Sequence, residues 1–181
     1  ALKKRDPDAL ALVFDAYANK IYRLANGILN DEQQADGVVQ DSFLKLIQHI
    51  DKFEGKSKLG TWLYRVAYNE AQQRIRRSKP DVDLSRFAEN DFLPQCLIDW
   101  QSIPESQFKS HEALEEMEKA VNSLGEALRS VFILRDVEEL STRETAAILN
   151  ISESAVKVRL HRARLILREK LSDYFMESDV T

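Results

Sequence analysis

The stretch STRETAAILNISESAVKVRLHRARLILREK, residues 141–170, decides the fold of the C-terminal part of this chain. Ser141 followed three positions later by Glu144 is a capping box, in which the hydroxyl and the carboxylate each accept a bond from an otherwise unpaired backbone amide. Asn150 suits the left-handed residue that ends a helix, and Ser152 can cap the next helix. Small alanines in the first helix would let the second approach closely. The pattern predicts two helices joined by a tight turn.

The second of these helices separates an apolar face from a cationic one. Apolar residues recur at intervals of three or four, at Val156, Leu160, Ala163 and Leu167. The opposite face carries Ser154, Lys157, Val158, His161, Arg164 and Arg168, with Arg162 to one side. Such a helix fits the major groove of B-form DNA, where its cations neutralise phosphates. A solvated helix in a bundle is the usual explanation of a charged face, but the turn chemistry and the clustered cations favour a DNA-binding helix-turn-helix.

The bulk composition describes a helix-rich globular chain and excludes several classes of protein. Of 181 residues, 44% are hydrophobic, with only five glycines and four prolines. No apolar run approaches the roughly 18 residues that cross a bilayer, and no secretion signal opens the chain. Cys96 has no second cysteine for a disulfide, and the histidines stand alone, so neither a metal site nor a cofactor is expected. These features predict a cytoplasmic protein without membrane insertion.

The charge is distributed unevenly along the chain. The net charge of −4 argues by itself against a nucleic-acid binder. Residues 56–79, however, hold seven cations and one anion, whereas residues 80–106 hold one cation and six anions. Two basic patches in an acidic chain predict two separated DNA contacts, with acidic surfaces left for protein partners or for self-masking.

Hydrophobic spacing predicts three helices before residue 80. Asp6 followed by a proline caps the first helix, whose apolar stripe is Phe14, Tyr17, Ile21, Leu24 and Ile28. Asp31 with Gln34 opens a second helix, whose stripe is Val39, Phe43, Leu46 and Ile50. A third helix begins at Thr61 and ends in a basic tail before Pro80. Together they predict one compact bundle.

Residues 80–108 break this periodicity. Three prolines and many acids predict a linker, longer than a passive connection inside a domain should be. Beyond it, apolar residues mark two more helices ahead of the helix-turn-helix: Leu114, Met117, Val121 and Leu124, then Leu128, Phe132 and Leu134. The predicted fold class is all-α, with two small helical domains, 1–79 and 109–181, joined by the acidic, proline-containing linker.

The third predicted helix carries aromatic, amide and cationic side chains together. Five residues share one face: Trp62, Arg65, Asn69, Gln73 and Arg76. Tyr64 and Tyr68 lie alongside, and the preceding loop supplies Lys56 and Lys58. Aromatic rings stack on unpaired bases, an amide reads a base edge and cations follow the phosphates, as single-strand or flipped-base recognition requires. The aromatic residues alone could equally complete a core, but the density of cations around them favours DNA.

Four segments in this order resemble the extracytoplasmic-function (ECF) sigma factors, the small two-domain sigma subunits of bacterial RNA polymerase. The segments are DPDALALVFDAYANKIYRLA, DGVVQDSFLKL, TWLYRVAYNEAQQRIRR and LRSVFILRDVEELSTRETAAILNISESAVKVRLHRARLILR. The resemblance implies that residues 6–79 are similar to sigma region 2 and residues 111–172 to sigma region 4.

The resemblance also implies roles for individual residues. The DGVVQDSFLKL segment matches the helix that docks on the clamp of the polymerase's largest subunit, and the residues that would face this partner are Asp36, Gln40, Asp41 and Leu44. Gly37 stands where the family usually has an acid. The segment TWLY matches the part that opens the minus-ten element, for which the candidate residues are Lys56, Lys58, Trp62, Tyr64, Arg65, Asn69 and Arg76. The candidates that would read the minus-thirty-five element are Arg135, Ser152, Ser154, Lys157, Val158, His161 and Arg162.

These observations favour a dissociable initiation factor over two alternatives. It would bind core polymerase, bring it to promoter DNA and open the start region, and an anti-sigma factor would be a further partner by resemblance. An ordinary helix-turn-helix regulator would bind promoters without polymerase, but it gives no reason for the aromatic and cationic face at 62–76. An enzyme ranks third, because no catalytic or metal-ligating cluster appears at useful spacing.

Overall fold

Seven α-helices make up the described part of the chain, and no strand occurs there. The structure, a computed structural model, describes residues 2, 6–55, 57–78 and 111–178. The N-terminal half contains α1 (Pro7–Leu29), α2 (Glu32–His49) and α3 (Leu59–Ser78). The C-terminal half contains α4 (His111–Asn122), α5 (Glu126–Phe132), α6 (Thr142–Leu149) and α7 (Glu153–Ser178). The all-α prediction is confirmed, while the predicted linker at 80–108, Cys96 and Lys56 lie outside the described residues.

Polar caps set the starts of α1 and α2. The Asp6 carboxylate accepts a bond from an amide of the first turn at 3.1 Å, and the Asp31 carboxylate accepts one from the amide of Gln34 at 3.0 Å. Each cap satisfies an amide that the helix itself leaves unpaired. The third helix begins at Leu59, two residues before the predicted Thr61. The capping signals therefore predicted the starts of the first two helices, and the predicted start of the third helix was within two residues of the observed one.

The apolar stripes of the first three helices face one another and form the core of the N-terminal half. Its innermost side chains are at most 1% exposed: Ile21, Leu24, Val38, Leu46 and Leu63. Phe14 departs from the predicted stripe, since its side chain is 47% exposed and its ring packs at 4.8 Å from that of Phe43 near the end of the bundle. Burial of each large apolar side chain contributes about 1.5–3 kcal/mol relative to exposure.

A π-helical turn interrupts the C-terminal half where the sequence predicted a continuous helix through Leu134. The α5 helix ends at Phe132, and the chain continues in the wider turn Ile133–Val137. Glu139 then adopts a left-handed backbone with φ of 54°. The amide of Leu140 returns to the carbonyl of Leu134 at 2.9 Å, so the chain reverses into α6.

The helix-turn-helix has the end groups that the sequence predicts. The Ser141 hydroxyl accepts a bond from the amide of Glu144 at 3.2 Å, and the carboxylate accepts one from the amide of Ser141 at 3.0 Å. Asn150 is left-handed, with φ of 55°, and ends α6. Ser152 accepts a bond at 3.1 Å from an amide in the first turn of α7. The two helices and their turn are therefore confirmed.

The two helices of this motif pack through the predicted apolar positions. The buried residues of α7 include Val156, Leu160, Ala163 and Leu167. Of the two alanines expected to allow close approach, Ala146 is buried and Ala147 is exposed. Only one of them therefore contributes to the contact, because α6 presents a single face to the core.

The two halves share one hydrophobic core, a contact that the sequence did not predict. Helix α1 packs against α5, and α3 packs against α6. Ile133 reaches α1 at Gly27, where a Cβ atom would lie only 2.2 Å from the Ile133 Cδ1 atom. Two separate helical domains were expected from the sequence. In the structure the π-helical turn of the C-terminal half packs against α1 and so completes the core of the N-terminal half.

Candidate nucleic-acid and polymerase interfaces

The exposed face of α7 carries most of the residues predicted to read the minus-thirty-five element. Ser154, Lys157 and His161 are exposed, and the Val158 side chain is 51% exposed. Ser152 lies at the N-terminus of the same helix, where its hydroxyl bonds that of Ser154 at 2.9 Å. Arg162 is partly buried at the side of the face. The exposed residues lie along about two turns of α7, and their proposed entry into a major groove stays a prediction.

Two arginines of this half bond acceptors within the protein. Arg135 donates through Nη1 to the carbonyl of Leu140, so it braces the segment leading into α6. Arg164 donates to the carboxylate of Asp136 through Nε at 2.8 Å and Nη2 at 2.6 Å, and this bond raises the pKa of its guanidinium. Arg135 therefore has a structural role, whereas its base-reading role stays a prediction, and Arg164 belongs to an ion pair.

On the candidate melting face of α3, some side chains are exposed to solvent and others pack against the rest of the protein. Arg65, Asn69 and Arg76 are exposed, as predicted for a face that meets DNA. Trp62 is half-buried and its ring lies 6.5 Å from that of Phe53, so it also contributes to packing. Trp62 therefore contributes to the packing of this half, and its proposed role in capturing a base stays a prediction.

Tyr64 does not lie on that exposed face. Its side chain is buried, and its hydroxyl donates to a carboxylate oxygen of Glu138 at 2.6 Å. Burial, followed by this bond, raises the pKa of the Tyr64 hydroxyl above its ordinary value. Lys58 is also engaged, since its ammonium lies 3.0 Å from a carboxylate oxygen of Glu144. In this arrangement two of the predicted melting residues bind acids of the C-terminal half.

The candidate polymerase-docking face of α2 is open to solvent. Asp36 and Gln40 are exposed, and the apolar side chain of Leu44 is 55% exposed. Asp41 is paired with Arg74 of α3 at 2.6 Å.

Gly37 explains how Arg74 comes to be placed there. A Cβ atom at Gly37 would lie 2.8 Å from the Arg74 Nη1 atom, so the guanidinium fills the space that a side chain would take. The same guanidinium donates through Nη2 to the carboxylate of Asp41 at 2.6 Å.

Sequence reasoning missed the residues that join the halves. The Glu138 side chain is 1% exposed and accepts bonds from Arg23 of α1, from Nε at 2.8 Å and from Nη2 at 2.6 Å, in addition to the bond from Tyr64. No spacing rule connects residues 115 positions apart. Gln72 of α3 likewise donates to Glu126 of α5 at 2.7 Å.

No group of three or more histidine, cysteine or acidic residues placed to hold a metal ion occurs in the described ranges. Among the same residues, no helix is long and apolar enough to cross a membrane.

Comparison with known proteins identifies the class first. Residues 13–80 match Sigma-70 region 2 and residues 114–167 match Sigma-70 region 4, which defines a sigma-70-type transcription initiation factor. The chain is 36% identical over 176 residues to the ECF RNA polymerase sigma factor SigW of Bacillus subtilis (strain 168), covering 95% of this chain and 94% of that protein. It is 31% identical over 173 residues to the ECF RNA polymerase sigma-E factor of Escherichia coli (strain K12), covering 94% and 90%. The chain belongs to the ECF sigma factor family.

Two solved structures share the fold. CnrH in complex with the cytosolic domain of CnrY has a TM-score of 0.62 at 22% identity, covering 95% of this chain and 93% of that one. The sigma factor RpoE in complex with the anti-sigma factor NepR from Bartonella quintana has a TM-score of 0.67 at 24% identity, covering 90% and 96%.

Proposed function

We propose that this ECF sigma factor binds its partners through three different helices. Helix α2 docks on the clamp of the polymerase's largest subunit, α3 opens the minus-ten element, and α7 reads the minus-thirty-five element. The protein is an initiation factor and not an enzyme, so each surface acts by binding alone. The observation that carries this division is the exposure of chemically different faces on three helices of one chain.

The chemistry of each face matches its proposed partner. The α2 face combines an exposed leucine, Leu44, with the polar groups of Asp36 and Gln40, the mixture expected where one protein surface meets another. The α3 face joins an aromatic ring, an amide and arginines, which suits an unpaired strand. The α7 face presents short polar side chains, a valine and cations, which suits the major groove, where Val158 could contact a thymine methyl group.

An anti-sigma factor is the second proposed protein partner. RpoE of Bartonella quintana was solved with the anti-sigma factor NepR, and this chain shares its fold. We place the protein in the cytoplasm, where core polymerase and chromosomal DNA are found. The alternative function is a helix-turn-helix regulator that acts without polymerase. The two functions differ in one respect: a sigma factor needs core polymerase for specific promoter binding, and the regulator does not.

A reconstitution experiment tests the proposal. Purified core RNA polymerase is mixed with this protein and with fragmented genomic DNA of the encoding bacterium, and the transcripts are sequenced to locate their start sites. We expect discrete start sites only when the protein and core enzyme are both present. Specific nanomolar binding of promoter fragments by the protein alone would instead support the regulator.

Docking through α2 is tested by Leu44→Asp, with Leu12→Asp as the matched control. Both leucines are exposed, at 55% and 70%, so neither change should disturb the core. A buried carboxylate at an interface costs several kcal/mol, and Leu44→Asp should therefore lose core binding in a pull-down by about a hundredfold or more. Equal retention of both variants by core polymerase would exclude α2 as the docking helix.

A further inference from the structure

An arginine of α3 lies against the face of α2 that is proposed to bind polymerase. A Cβ atom at Gly37 would lie 2.8 Å from Nη1, 2.9 Å from Nη2 and 3.2 Å from Cζ of Arg74, so the whole guanidinium covers this glycine. Its Nη2 atom also donates to the Asp41 carboxylate at 2.6 Å. The guanidinium of Arg74 therefore spans about one turn of α2, from Gly37 to Asp41.

Gly37 belongs to the same side of α2 as three of the candidate docking residues. It precedes Gln40, Asp41 and Leu44 by three, four and seven positions, and residues at these spacings are neighbours on one side of a helix. Gln40 and Leu44 are exposed there. Arg74, which belongs to another helix, thus becomes part of this face through the packing of α3 against α2.

A glycine at this point of α2 destabilises the helix but permits the contact with Arg74. Glycine inside a helix costs roughly 1 kcal/mol relative to alanine. Gly37 is well inside α2, which begins at Glu32 and ends at His49. Any other side chain would meet the guanidinium, since its Cβ atom alone would approach to 2.8 Å. The absence of a side chain at Gly37 therefore gives Arg74 access to the surface of α2.

The pair formed by Arg74 and Asp41 retains hydrogen-bonding groups that reach solvent. The Arg74 side chain is 24% exposed and the Asp41 side chain is 43% exposed. The bond between them joins Nη2 to Oδ2, which leaves Nη1 as a donor and Oδ1 as an acceptor. A partner surface that covers this face would therefore meet a donor and an acceptor side by side.

The bond to Arg74 also lowers the free-energy cost of covering the Asp41 carboxylate. A carboxylate buried at an interface without a counter-charge costs several kcal/mol, and a hydrogen-bonded cation buried with it offsets part of that cost. Arg74 supplies this cation from the same chain, and the pair is ordered before the partner binds. The guanidinium also changes the net charge of the face from −2, which comes from Asp36 and Asp41, to −1.

We propose that Arg74 is a further polymerase-docking residue, which α3 contributes to the α2 face and which Gly37 admits there. It positions the Asp41 carboxylate and offers its remaining nitrogen to an acceptor on the clamp of the polymerase's largest subunit. Arginine is one of the residues that most often carry the binding energy of protein interfaces. The inference rests on the proposed function, in which α2 docks on this clamp, and adds to it a residue from a different helix.

Arg74→Met tests the docking role, with Glu70→Gln as the matched control. Glu70 forms another ion pair between the same two helices, with Lys45, but it is 9% exposed and is therefore not accessible to a partner. The full-length protein, labelled at its amino terminus, is titrated with purified core RNA polymerase, and its unfolding in urea is measured in parallel. Arg74→Met should weaken core binding by about tenfold or more. Glu70→Gln should bind core polymerase as wild type does, even where its stability falls.

Gly37→Ala separates a docking role from a structural one. The added methyl group displaces the guanidinium of Arg74, while alanine favours the helix by up to about 1 kcal/mol over glycine. A merely structural contact would make stability and core binding change together. This variant should instead keep or gain stability and still lose core binding by about threefold or more. In the Arg74→Met background the same substitution should cause no further loss, because the group that it displaces is absent.

Three results would each overturn the inference. They are wild-type or tighter core binding by Arg74→Met, an equal loss of core binding in Glu70→Gln, and a Gly37→Ala variant that either keeps wild-type affinity or loses as much in the Arg74→Met background. Leu44→Asp, measured in the same titration, separates this failure from that of the proposed function. If Leu44→Asp loses core binding, any of the three results overturns the role of Arg74 alone. If Leu44→Asp binds as wild type does, α2 is not the docking helix, and the proposed docking fails together with the inference.

Discussion

Replacing Asn69 with alanine should separate promoter opening from polymerase recruitment. The Asn69 side chain is exposed on α3 and does not belong to the candidate docking residues of α2, so Asn69→Ala should change the free energy of unfolding by no more than about 0.5 kcal/mol. If the amide holds an extruded base, its loss removes about 1–3 kcal/mol of the capture that offsets unstacking. That loss corresponds to a decrease of about 5- to 150-fold in the equilibrium between open and closed complexes.

The assay is permanganate reactivity of thymines near the start site, with transcription from duplex and pre-melted templates in parallel. The Asn69→Ala holoenzyme should form closed complexes normally, show little reactivity on duplex DNA and recover much of its activity on the bubble. The control is Asn122→Ala, which removes an exposed asparagine from α4. Trp62→Ala should behave similarly on DNA, but it also removes packing against Phe53 and therefore needs a stability measurement beside it. Wild-type permanganate reactivity of the Asn69→Ala holoenzyme on duplex promoter would refute the assignment.

Three further outcomes are expected. Lys157→Ala and Arg162→Ala should cost about 1–3 kcal/mol at particular base pairs if they read bases; equal losses on every promoter sequence would demote both to phosphate contacts. The hydrogen bonds from Ser141 and, to a smaller extent, the ion pair with Lys58 lower the pKa of the Glu144 carboxyl to about 2. Its stabilising effect should be complete above its ordinary pKa of 4.5 and be lost as the pH falls towards about 2, so an NMR titration should show a higher midpoint in Ser141→Ala, and an unchanged midpoint would refute the cap as the cause. Val156→Ala, at a fully buried site, should lower the free energy of unfolding by about 2–3 kcal/mol in denaturant titrations, and a loss below 0.5 kcal/mol would contradict its place in the core.

The pattern of the helix-turn-helix was predictable because its determinants are local. The capping box of Ser141 and Glu144, the left-handed Asn150 and the apolar spacing of α7 each involve residues a few positions apart. Such interactions follow from the geometry of a single helix and its ends. The interruption of the preceding helix at Ile133–Val137 was not predictable in the same way, since nothing in its spacing marks a π-helical turn.

The candidate surfaces also contain features that the sequence predicted and features that it did not. Leu44 was assigned from the family resemblance and Asn69 from its helical position, and both are exposed, although their roles stay predictions. Tyr64 was assigned by the same reasoning and is buried, because the C-terminal half covers its side of α3. A helical period tells which residues share a face, but it does not tell which faces a second part of the chain will cover.

The sequence by itself determined the positions of most helices, the caps of α1, α2 and α6, and membership in the ECF sigma factor family. Only the tertiary structure decided that the two halves pack together and that Glu138 bonds Arg23 and Tyr64, which lie 115 and 74 positions away along the chain. The physical reason is the separation along the chain of the residues that interact. Caps and helical periods act within one or two turns, whereas a buried carboxylate finds its partners only after whole helices have packed, and its location then depends on the shape of both surfaces.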